Sequence, residues 1–71
     1  MVKELQRAVS RHQDIQIIYM GSAGQTTQRT IRPLAISGGK LKAYCLTRRA
    51  PRVFLIDNIL AVQLVINQQV V

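Results

Sequence analysis

Arg29, Arg32, Lys40, Lys42, Arg48, Arg49 and Arg52 bring seven of the chain's ten Lys and Arg residues into one stretch, Arg29 to Ile59, that holds a single acid, Asp57. Guanidinium and ammonium groups at this density, with few carboxylates to neutralise them, do the chemistry of anion binding. Arg48 and Arg49 are adjacent, and their planar forks match phosphate oxygens; the same pair serves equally as solubilising charge. Lys40 and Lys42 are one residue apart, so in a strand they project from one face. Tyr44 continues that face and offers a ring beside a charge, or else covers the sheet surface. Arg29 shares its strand face with Ile31 and Pro33, which places it at a rim or within reach of a ligand. Catalytic chemistry has little to work with: three carboxylates, His12 and Cys45 supply neither a triad nor an acid–base pair. His12 and Cys45 each stand alone, without metal-ligand spacing, so neither metal nor cofactor is expected. Gly21 and Gly24 are not followed by the Lys-Ser/Thr pair of a phosphate-binding loop.

The formal net charge of +7 on 71 residues points to nucleic acid, an acidic protein surface or an anionic membrane as partner. The apolar runs are far shorter than the ~20 residues of a spanning helix. Lys3, Glu4, Arg7 and Arg11 near the start precede no apolar core of the secretory type. No membrane partner is expected, and a lone thiol favours a reducing, cytoplasmic setting. A chain this small buries only about 60% of its unfolded surface. It therefore calls for an economical core, a partner subunit such as a second copy, or a longer parent chain.

One domain, residues 1–71, has to position these groups. Leu5, Ala8 and Val9 recur at helical steps, so residues 2–12 are expected to form a helix with one apolar stripe. It serves as a lid on a sheet rather than as a DNA-reading helix, because no second helix completes a helix-turn-helix. Ile15–Met20 reads as a strand with Ile15, Ile17 and Tyr19 on one face, and residues 21–24 as a hairpin loop. Residues 25–36 form a second strand in which Pro33 marks an end, a bulge or an edge. Gly38-Gly39 is a tight turn. Leu41, Ala43 and Cys45 then alternate inward against Lys42 and Tyr44. Residues 52–56 and 59–66 complete five strands, and residues 67–71 form a tail. The expected class is mainly β: one N-terminal helix and a small, curved, antiparallel five-stranded sheet or SH3/Sm-like barrel.

In this order and spacing the chain resembles the WYL domain family. Leu5-Gln6-Arg7-Ala8-Val9 resembles the family's leading helix. Ile15-Gln16-Ile17-Ile18-Tyr19 is similar to its first strand, and Arg29-Thr30-Ile31-Arg32-Pro33-Leu34 to its Arg-x-Val-x-Pro-Leu. Arg52-Val53-Phe54-Leu55-Ile56-Asp57-Asn58-Ile59 resembles its Arg-x-Phe-Arg-Leu-Asp-Arg-Ile. Gly39-Lys40-Leu41 stands where the family has Trp-Tyr-Leu, so Lys40 takes the tyrosine's place. Leu55 and Asn58 replace two family arginines, whereas Arg29 and Arg52 remain. The resemblance implies an SH3- or Sm-like barrel behind a helix, in bacterial transcription regulators, CRISPR- and phage-defence proteins or helicases. It further implies sensing of nucleotides or single-stranded nucleic acid through arginines and a tripeptide aromatic.

Residues and resemblance together lead to a non-catalytic module for single-stranded DNA or RNA, or for a nucleotide. Its expected site is Arg29, Arg32, Lys40, Lys42, Tyr44, Arg48, Arg49 and Arg52, with salt-sensitive binding and stacking on the tyrosines. The alternative is a protein-interaction or oligomerisation domain, a homodimer or the partner of an acidic protein, drawing on the apolar last strand and Val70-Val71.

Overall fold

Alternation and turn chemistry dictate nearly every element. In the computed structural model, which describes residues 2–65, a helix α1 (Val2–Ser10) precedes strands β1 (Ile15–Met20), β2 (Thr26–Ser37), β3 (Lys40–Cys45), β4 (Ala50–Leu55) and β5 (Ile59–Leu64). The fold is mainly β, with all pairings antiparallel and the strands ordered β4-β3-β2-β1-β5. The expected tail, residues 67–71, lies outside the described residues.

α1 stops two residues earlier than its periodicity suggests, because the chain closes it with a left-handed cap. The Gln13 N–H donates to the Ala8 carbonyl at 3.0 Å and the His12 N–H to that of Val9 at 3.3 Å. His12 takes φ 52°. This pair of bonds is the Schellman arrangement, in which the left-handed position is usually glycine. Leu5 and Ala8 are buried, and Val9 packs against the same core, so α1 lies on the sheet as the expected lid. Gly38 and Gly39, at φ 56° and 74°, make the two-residue turn from β2 to β3 that requires left-handed backbone at both positions.

Pro33 sits at a bulge. The register runs Ile31↔Cys45, Arg32↔Tyr44, Pro33↔Ala43 and then slips, so that Ala35 opposes Lys42 and Ile36 opposes Leu41. The extra residue, Leu34, changes which side each later residue faces. Ile36 thereby packs on the core while Ala35 and Ser37 turn outward. On the β1 side, pairing ends at Ile31, so the missing proline N–H deprives no ladder.

The core lies between α1 and one face of the sheet, built on Leu5, Ile15, Ile17, Ile31, Leu41 and Phe54 with Cys45 fully enclosed. Among the described residues no polar or charged side chain is buried. Of the two expected forms, a curved sheet or a closed barrel, the chain takes the first, and the sheet stays open. β4 and β5 remain its two edges, although a single 3-10 turn of three residues, Ile56–Asn58, joins them directly. A flat five-stranded sheet would hold its edges ~19 Å apart. Three residues of 3-10 helix span only ~6 Å. The sheet must therefore curl until the end of β4 meets the start of β5. At that corner the Tyr19 ring meets Phe54 edge-on, 5.0 Å between centroids at 76°. The Leu55 N–H donates to the Tyr19 hydroxyl at 3.1 Å. Backbone pairing is replaced there by one side-chain hydrogen bond, and the rest of the gap stays open.

Candidate functional site

With no buried polar group available, any site on the described residues is a surface, and cross-strand pairing decides which surface each cation joins. Paired residues point to the same side of a sheet. Leu41, Ala43 and Cys45 point into the core, so Lys40, Lys42 and Tyr44 point out of the convex face. Their partners complete three rows: Ser37, Lys40 and Leu55; Ala35, Lys42 and Val53; Arg32, Tyr44 and Pro51. Lys40 and Lys42 stand ~7 Å apart along the strand. A shallow cleft of about 270 Å³ lies beside them, lined by Ala35, Ser37, Lys40, Lys42 and Val53. The bulge at Leu34 creates this floor, because it turns the small residues Ala35 and Ser37 outward under the lysines.

Arg32 shares the convex face but is engaged. Its Nε donates to Asp14 Oδ1 at 2.8 Å and its Nη2 to Asp14 Oδ2 at 3.3 Å. The hydrogen bond and charge of Asp14 raise the guanidinium pKa further above its ordinary value. Tyr44 lies half-buried, with Arg32 and Pro51 as its cross-strand neighbours.

Arg29 and Arg52 fall on the other side. Arg29 is paired with buried Ile17 and Arg52 with buried Ala43, so both belong to the concave face, Arg29 half-buried and Arg52 exposed. The Arg29 Nε donates to Thr27 Oγ1 at 3.3 Å. Arg29 also bears on Cys45. Burial pushes the Cys45 thiol up, but the Arg48 N–H, the Arg29 guanidinium and the Thr47 N–H outweigh it, and the thiol falls below its ordinary value. Arg48 and Arg49 occupy the β3–β4 turn, Arg49 with φ 55°, at the edge between the two faces.

The eight expected residues therefore fall in three places. Lys40, Lys42, Tyr44 and Arg32 share the convex face; Arg29 and Arg52 share the concave one; Arg48 and Arg49 lie at the turn between. Lys40, Lys42, Arg48, Arg49 and Arg52 have no carboxylate partner among the described residues. Tyr19, which sequence alone leaves available for stacking, is committed to Phe54 and Leu55. Asp14 is the residue that alternation could not reveal: it lies 18 positions from the arginine it holds. Among the described residues no group of His, Cys, Asp and Glu could hold a metal ion, and no helix is long and apolar enough to cross a membrane.

The family model of the WYL domain matches residues 1–64. No curated protein matches the chain. Among solved structures, the chain is similar to proteasome accessory factor B/C (PafBC) of Arthrobacter aurescens, at 20% sequence identity and a TM-score of 0.81. That likeness covers 99% of this chain and 11% of PafBC. At this identity it speaks for the fold.

Proposed function

Because the chain belongs to the WYL domain family, we propose that it is a non-catalytic, ligand-sensing module that binds single-stranded nucleic acid, or a nucleotide, across its convex face. The observation that carries this reading is the outward row of β3. Lys40 and Lys42 stand in line with Tyr44, no acid lies opposite them on β2 or β4, and a cleft runs alongside. Lysines spaced along one strand track a phosphate backbone. The half-exposed tyrosine ring at the end of the row stacks one base, and Arg48 and Arg49 extend the charge past it. Affinity comes chiefly from counterion release, with little sequence preference. In this reading Lys40 supplies by charge what the family's tyrosine supplies by stacking. The module acts in a regulatory setting, alone or within a longer chain.

The test is fluorescence polarisation of a labelled single-stranded oligonucleotide across a salt series, with duplex DNA and RNA as competitors. The double substitution Lys40→Ala/Lys42→Ala should weaken binding at low salt and flatten the slope of log K against log salt by about 1.4, two single-strand phosphate contacts at about 0.7 each. Arg29→Ala/Arg52→Ala, on the opposite face, should leave that slope alone. Loss of binding with the concave pair but not the convex pair would reverse the assignment. No binding by the unsubstituted protein at low salt would remove the nucleic-acid reading altogether.

A further inference from the structure

The two open edges of the sheet are unequal, and the difference selects a partner. In antiparallel strands alternate residues turn both N–H and C=O to the same side. On β4 the Ile56 N–H donates back to the Gly39 carbonyl, which sends Leu55, Val53 and Pro51 to the free side. Pro51 has no N–H, and that of Leu55 is taken by the Tyr19 hydroxyl. Val53 alone keeps a free donor, and the strand carries Arg52. This edge is blunted in the ways that natural sheets use against strand addition.

β5 is not. The Val65 N–H donates to the Asp14 carbonyl at 3.3 Å, which places odd-numbered residues toward β1 and leaves Val62 and Leu64 with both N–H and C=O on the open side. Leu64 pairs with Ile15 and Val62 with Ile17, so both side chains sit on the core side of the sheet. Leu64 is nevertheless 52% exposed, because no described residue flanks it beyond the edge. No residue from Ile59 to Val65 is charged in a chain of net charge +7. The groove between this edge and α1 holds one charge of each sign, Glu4 and Arg7.

We infer that the β5 edge is a self-association surface, and that its occupant is β5 of a second copy, paired antiparallel about a twofold axis at Gln63. This register places Val62 opposite the partner's Leu64, and Leu64 opposite the partner's Val62. All four open N–H and C=O pairs on the two strands are then used, and each exposed leucine is laid on the partner's valine. On the other face the two Gln63 side chains meet, and amides hydrogen-bond to one another as both donor and acceptor. Like-charged copies can approach here because the edge is neutral. β4 cannot substitute as the incoming strand, since Pro51 and the occupied Leu55 leave it one donor. An irregularity in the β1–β5 register between Ile18 and Tyr19, which leaves Leu60 unpaired, ends the regular edge at Ala61. The contact is therefore short and weak, with a dissociation constant on the order of 1 mM or tighter. It gains strength wherever copies are held close together. It does not depend on the ligand of the convex face.

Sedimentation equilibrium of the whole chain, without nucleic acid, tests this from about 10 µM to about 1 mM. The weight-average mass should rise from 8.0 kDa toward twice that value. Leu64→Pro removes an N–H that no ladder within the monomer uses, and Gln63→Lys sets like charges directly opposite one another. Both should hold the mass at 8.0 kDa with an unchanged circular dichroism spectrum. A wild-type chain that stays monomeric throughout overturns the inference, as it would if the chain's own following residues covered the edge. Association that survives both substitutions, or that grows beyond the dimer, overturns it as well.

Discussion

Tyr19→Phe removes one oxygen and leaves the ring. The edge-on contact with Phe54 at 5.0 Å survives, so the packing term cancels and the hydroxyl is tested alone. What is lost is the acceptor for the Leu55 N–H at 3.1 Å. A net intramolecular hydrogen bond contributes about 0.5–1.5 kcal/mol. Leu55 is 46% exposed, and water partly replaces the hydroxyl, so the loss should fall in the lower half, about 0.5–1 kcal/mol. Domains of this size lose roughly 4–8 °C of Tm for each kcal/mol, which gives a fall of about 2–8 °C in a thermal melt. The local readout is sharper. Amide exchange at Leu55 should accelerate to the rate of Val53, the free donor on the same edge, while the Leu41 and Ala43 amides stay protected. An unchanged Leu55 amide together with an unchanged Tm would refute the idea that this hydroxyl stands in for the missing β4–β5 ladder.

His12→Gly should stabilise the fold by about 0.5–1 kcal/mol, because the left-handed cap is strained for any residue with a Cβ; a urea melt with a lower midpoint would contradict the cap. Asp14→Asn should cost less than about 1 kcal/mol, as expected of an exposed pair, yet tighten oligonucleotide binding and steepen its salt slope by about 0.7 as Arg32 is freed. An unaltered slope would mean that Arg32 never reaches phosphate. The Cys45 thiol, its pKa lowered in the folded state, contributes stability that grows as pH rises through that value and is fully present above the ordinary thiol pKa of about 8.5. Relative to Cys45→Ala, chemical denaturation should therefore show a gain on the alkaline side. Arg29→Ala should shrink that gain and shift the thiolate absorbance at 240 nm to higher pH.

The strands were legible because β-branched and apolar residues alternate in them and glycines mark their ends: Ile15, Ile17, Leu41, Ala43 and Cys45 all face the core as alternation requires. The bulge was half-legible. Pro33 announces an irregularity, and the apolar positions shift from odd at Ile31 and Pro33 to even at Ile36, which is the signature of one inserted residue. The site was less legible than the fold. Alternation within β3 puts Lys40, Lys42 and Tyr44 together. It is silent on how Arg29 and Arg52 stand relative to them, since that depends on register between strands. The pairing of Arg32 with Asp14 and of Tyr19 with Leu55 arises from curvature, which no local pattern encodes. Which of the two expected forms, open sheet or closed barrel, the chain takes was not legible either: it has the strand count of a barrel, but Pro51 and the tyrosine contact leave β4 little to pair with.

The three-residue link from β4 to β5 also constrains the order in which the molecule can assemble. β1–β2, β2–β3 and β3–β4 are neighbouring hairpins, closed by short turns and able to form early. β5 has no such neighbour, because its partner β1 was laid down at the far end of the chain, Leu64 against Ile15. It can dock only after the preceding sheet has bent enough to bring β1 within reach of the 3-10 turn. Long-range closure of this kind sets the pace of folding. On the ribosome, β1 must wait with one side unpaired until the last strand has emerged. The same strand should be the first to detach in native-state exchange, so the step that completes the fold is also the one by which it begins to open.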